Sequence, residues 1–103
     1  MARSVEFEAG GKRYALRMTI NALCQIEAET KMTFAAVAEE MKGGGILLLR
    51  TVFGAALGGK LGADRVGDIL DDLGMTKAVE LLTEAIALAF PEAAPPDEGA
   101  AGN

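Results

Sequence analysis

Val5-Glu6-Phe7-Glu8-Ala9 alternates apolar with charged, Gly10-Gly11 interrupts, and Lys12-Arg13-Tyr14-Ala15-Leu16-Arg17-Met18 alternates again. A period of two around a two-residue glycine loop predicts a β-hairpin over residues 4–18. With Gly10 and Gly11 as the loop, Ala9 faces Lys12, Glu8 faces Arg13, Phe7 faces Tyr14 and Val5 faces Leu16. One face then collects Val5, Phe7, Tyr14 and Leu16, while the other sets Glu6 and Glu8 beside Arg13 and Arg17. Apolar pairs and opposite charges thus select the same register. Two strands alone are marginal in water, so helices or a neighbouring chain's strand must complete the hairpin.

After Met18 the apolar spacing becomes helical. Thr19 or Asn21 is placed to cap a first helix running to about Thr30, with Ile20, Leu23, Cys24 and Ile26 apolar and Cys24 expected in the core. Thr33 caps a second helix, in which Met32 and Val37 are spaced for a hydrophobic staple and Phe34, Val37, Ala38 and Met41 share a face. Gly43-Gly44-Gly45 ends it. A third helix, Ile46 to about Leu57, is apolar on most sides apart from Arg50 and Thr51 and is expected at the centre. A fourth begins near Ala63 with Asp64 as its cap, turns Val66, Ile69, Leu70 and Leu73 inward and Asp68, Asp71 and Asp72 outward, and stops before Gly74. Thr76 is expected to start the fifth, where Val79, Leu81, Leu82, Ile86, Leu88 and Phe90 spread around most of the circumference. The fold class is therefore α+β, mainly α: an N-terminal hairpin followed by a bundle of about five short helices.

Residues 1–90 are expected to form one folded domain. All three prolines and no large apolar side chain fall in residues 91–103, which reads as a disordered, acidic, Pro-rich tail. Charge is distributed unevenly: eight basic residues against six acidic in 1–60, two against six in 61–90, and none against three in 91–103. A chain of net charge −5 without Trp argues against a nucleic-acid partner, which requires clustered Lys and Arg. The most apolar stretch, 43–59, is split by Arg50, which argues against a membrane span. The single Cys forbids an internal disulfide and suits a reducing compartment.

Candidate chemistry is sparse. The absence of His removes the usual general base, the Ser-His and Cys-His nucleophile pairs and most zinc or haem sites. Gly54-Ala55-Ala56-Leu57-Gly58-Gly59-Lys60 has the spacing of a phosphate-binding loop, but Leu61 follows where a hydroxyl is needed, and a helix precedes it where a strand is needed. Small residues at Gly54 and Gly58 suit close helix packing and helix termination instead. Asp64, Asp68 and Asp72, four apart, gather carboxylates on one helix face without the loop pattern of a calcium site. No catalytic, cofactor or metal residue is assigned, and no cofactor is expected.

Two longer runs carry a resemblance. Tyr14 to Glu27 reads YALRMTINALCQIE, and Leu49 to Leu57 reads LRTVFGAAL. With the order of elements around them, these runs resemble the small phage-tail proteins of gene transfer agents, a family labelled both as a tail tube protein and as a tail assembly chaperone. The resemblance covers nearly all of residues 4–90 and leaves the acidic tail outside. It implies a non-enzymatic protein of virion assembly, acting in the bacterial cytoplasm during particle assembly or retained in a virion-like particle, with other phage tail proteins as partners.

A tail assembly chaperone coats the helix-rich tape measure protein until tube subunits polymerise. A structural tail subunit, tube or connector, remains in the particle and oligomerises through the hairpin. Closing a tube takes more strands than one hairpin, whereas a broad apolar helix suits helix-in-groove docking. The leading expectation is the chaperone, with the tape measure protein as partner. Leu81, Leu82, Leu88 and Phe90 are the expected contacts, with Asp68 and Asp72 as an electrostatic guide.

Overall fold

The computed structural model describes residues 4–90. Strands β1 (Val5–Ala9) and β2 (Lys12–Leu16) are followed by helices α1 (Ile20–Thr30), α2 (Phe34–Lys42), α3 (Ile46–Ala56), α4 (Ala63–Leu73) and α5 (Met75–Ala89). This is the α+β, mainly α arrangement expected from the sequence. The expectation for residues 91–103 lies outside the described residues.

The hairpin has the predicted register at every pair, from Ala9 opposite Lys12 to Val5 opposite Leu16. Gly10 (φ 59°) and Gly11 (φ 80°) both occupy the left-handed region, as the tight two-residue loop requires and as few other residues accept cheaply. On the solvent face the Arg13 guanidinium bridges both acids, 2.7 Å from Glu6 and 3.8 Å from Glu8. Arg17 makes no such pair among the described residues; its backbone N–H donates to the Ala56 carbonyl at 2.9 Å, tying the end of β2 to the end of α3. Helices cover the apolar face, α4 and α5 packing on β1, and α3 and α5 on β2. Phe7 stacks on Tyr14 (centroids 5.5 Å apart) and meets Phe53 of α3 edge to face at 5.7 Å, which anchors the sheet to the bundle.

Helix α3 is central, packing against α1, α2, α4 and β2. It buries Leu49, Val52, Phe53, Ala55 and Ala56, whereas Ile46 and Leu47 in its first turn project into solvent. An added Cβ at Gly54 would stand 3.3 Å from Val66 Cγ2, so glycine there permits the close approach of α3 and α4. Gly58 and Gly59 adopt positive φ and end α3.

The caps follow the sequence at two helices and depart from it at two. Thr19 Oγ1 accepts from Ala22 N–H, and Thr33 Oγ1 accepts from Ala36 N–H. The Glu27 carboxylate also accepts from Phe34 N–H at 2.9 Å, so α1 itself serves the start of α2. Val37 is fully buried and Met32 packs against the same core, the positions needed for the staple. Asp64 does not cap α4. Gly62 does, and Asp64 lies inside the first turn, where its charge meets the positive end of the helix dipole. Nor does Thr76 start α5. Gly74 (φ 88°, ψ 152°) ends α4 and begins α5 at once, so the two helices join through one residue.

Cys24 is also corrected: it is exposed. Helix α1 turns Ala22 and Ile26 inward, and a residue at position 24 stands on nearly the opposite side, as does Ile20, which is 67% exposed.

Candidate docking surface

The residues expected to contact a partner do not form one patch. Leu81 and Leu82, with Ala78 and Ala85, form the buried face of α5 and belong to the core. In the folded chain they support the helix and are withheld from a partner. Phe90 closes α5 half-buried against the core, and Leu88 is partly exposed on the same helix.

Besides Leu88, two large apolar side chains of α5 are exposed, both in its first half. Met75 is 46% exposed and Val79 is 48% exposed. At 100° per residue these two and the half-buried Ile86 fall within an arc of about 40°. They form a strip beside the core-facing stripe and separate from the polar line of Lys77, Glu80 and Glu84. The sequence signal for this was available: Ala78 and Ala85, seven apart and flanked by Leu81 and Leu82, mark the side that packs closely, which leaves the neighbouring apolar line at the surface.

Asp68 and Asp72 are both exposed and meet the hairpin loop instead of the end of α5. Asp72 Oδ2 accepts from Gly10 N–H at 2.7 Å. Together with Lys12, Tyr14 and Arg65 they rim a hollow of about 220 Å³ between the loop and α4. Asp72 therefore holds the hairpin loop in place.

A second cleft of about 330 Å³ lies between α1 and the α3–α4 pair, lined by Gln25, Glu29, Arg50 and Thr51 among others. Gln25 Nε2 donates to Glu29 Oε2 at 3.0 Å across its rim. The glycine-lysine segment borders this cleft without making a phosphate cradle, since Gly54 lies within α3 and two residues separate Lys60 from the start of α4. Among the described residues, no group of three His, Cys, Asp or Glu side chains is placed to hold a metal ion. No described helix is long and apolar enough to cross a membrane.

No protein-family model matches the chain, and neither a curated relative nor a solved structure does.

Proposed function

We propose that this protein is a non-enzymatic assembly factor of a phage-type tail, a tail assembly chaperone that binds the helix-rich tape measure protein. The observation that carries the reading is the surface strip on α5, where Met75 and Val79 are about half exposed on a helix whose adjoining side is anchored in the core. A rigid helix presenting adjacent apolar side chains one turn apart is the receiving half of helix-on-helix docking, in which the partner supplies anchors at i, i+3, i+4 and i+7. Ile46 and Leu47, each 65% exposed in the first turn of α3, give a long partner further apolar surface to follow. The sequence runs Tyr14 to Glu27 and Leu49 to Leu57 supply the resemblance that names the partner.

The test is co-expression with the tape measure protein of the same tail gene cluster, followed by size-exclusion chromatography with light scattering. A defined soluble complex is expected, weakened by Val79→Glu and Met75→Glu while the circular dichroism of the free protein stays unchanged. Stoichiometric retention of the protein in purified mature particles would overturn the chaperone reading.

A further inference from the structure

We infer that the cleft between α1 and the α3–α4 pair is a docking groove for an acidic helical segment of a protein partner, whose carboxylate is received by Arg50. The inference rests on the reading above for the source of that partner and not for its chemistry.

Arg50 is the one charge in the apolar stretch 43–59. Of the nine Lys and Arg in residues 4–90 it alone is not exposed. Among the described residues its side chain has neither an ion pair nor a hydrogen bond. Its stem runs beside Gly67 of α4, where an added Cβ would lie 4.0 Å from Arg50 Cδ. Half-burial strips a guanidinium of part of its water, a cost that an anion within hydrogen-bonding reach offsets. The Glu29 carboxylate lines the same cleft without filling that role. It accepts from Gln25 Nε2 at 3.0 Å and stays outside ion-pair distance of Arg50. Gly59 makes room for this arrangement, since a Cβ there would overlap Gln25 Oε1. The cleft therefore keeps a half-buried cation open to an occupant from outside.

The line that α3 turns outward selects the occupant. At 100° per residue Ile46, Leu47, Arg50, Thr51 and Gly54 fall within an arc of about 140°, and the five core residues of α3 fill the rest. Ile46 and Leu47 are exposed and precede Arg50 by four and three residues, so apolar surface and guanidinium lie one turn apart. A helix laid along this line meets both if it carries a large apolar side chain and a carboxylate at the same spacing. Gly54, lining the cleft without a side chain, leaves space for its close approach. The planar fork of Arg pairs with a carboxylate through two parallel hydrogen bonds, and Thr51 adds a hydroxyl to the same lining. A phosphate-rich polymer is disfavoured, because the cleft lining holds a single cation and an anion, Glu29.

The experiment uses the full chain and overlapping helix-length peptides covering every protein encoded in the same tail gene cluster, with binding read by fluorescence anisotropy. Binders are expected to carry Asp or Glu three or four residues from a large apolar side chain. Arg50→Gln in the protein and acid-to-amide replacement in the peptide should each weaken binding by about tenfold or more, and the two together no further than either alone. Leu47→Glu lies at an exposed position, so the circular dichroism is expected to stay unchanged while the introduced carboxylate competes for Arg50 and weakens binding to a similar extent. Arg50→Glu is expected to bind the peptide whose acid is replaced by Lys. Arg50-dependent peptides from other cluster proteins alone would support the groove and remove the tape measure protein as its partner. Peptides that bind but respond only to Val79→Glu would keep the α5 reading and overturn this one. Strictly additive losses, or no peptide sensitive to Arg50→Gln and Leu47→Glu, would also overturn it.

Discussion

Phe53 joins the two halves of the fold, and Phe53→Ala measures how firmly. Its side chain is fully buried in α3 and meets Phe7 edge to face, and Phe7 in turn stacks on Tyr14. Truncating a fully buried Phe to Ala costs about 3–5 kcal/mol, the upper part applying where the surroundings collapse poorly into the cavity. Here one wall is the hairpin, held by its own ladder, and the other is the central helix, so collapse is restricted and a loss of about 4 kcal/mol is expected. A domain of this size has a total stability of only about 4–13 kcal/mol. The variant is therefore expected to be severely destabilised, and Phe53→Leu, at about 1–2 kcal/mol, is the companion that stays measurable. The assay is urea unfolding read by far-ultraviolet circular dichroism for the helices and by Tyr14 fluorescence for the hairpin, Tyr14 being the only Tyr in a chain without Trp. Both probes are expected to report a single transition in the parent protein, and both midpoints to fall together in the variants. A Phe53→Ala cost below about 1.5 kcal/mol, or a hairpin signal that unfolds separately from the helices, would refute the reasoning that one shared aromatic core holds both.

Gly74→Ala is expected to destabilise by about 1–3 kcal/mol in thermal or urea unfolding, because φ 88° with ψ 152° strains any residue bearing a Cβ, although nothing lies within 4 Å of the site to clash. Thr19→Ala and Thr33→Ala should each cost about 1 kcal/mol by loss of a capping bond, with nearly additive effects in the double variant as the caps serve different helices. Cys24 in the native protein is expected to titrate fully with an aromatic disulfide reagent without denaturant, and alkylation should leave the circular dichroism unchanged; protection until unfolding would contradict its exposed position.

What the sequence reveals of this fold depends on whether two independent patterns agree. In the hairpin the apolar pairing, the charge pairing and the glycine loop admit one register, and that register is present. At Thr19 and Thr33 a hydroxyl precedes a helical pattern at the capping distance, and it caps. Helix α1 is harder: in its 11 residues apolar side chains occur all round, so periodicity alone cannot choose the buried side. The core takes Ala22 and Ile26 and leaves Cys24 and Ile20 in water. The same ambiguity hides which side of α5 is buried. Hydrophobicity directs attention to Leu81 and Leu82, yet the closest packing goes to the face that also carries Ala78 and Ala85. At the fourth and fifth helices Asp64 and Thr76 are good capping residues placed two positions too late, after glycines that had already begun the helices. The tie between Asp72 and Gly10, 62 residues apart, has no local signature at all.

That tie has a consequence for the order in which the chain acquires its structure. The hairpin precedes every helix, and its loop is held by a residue at the end of α4. The helices that pack on β1 are the last two made. On a ribosome adding residues from the N-terminus, Val5, Phe7 and Ala9 emerge well before their covering helices exist. The hairpin is thus sealed after it is made, and in two steps: until α4 has been synthesised the loop has no anchor, and until α5 follows the apolar sheet face stays partly open.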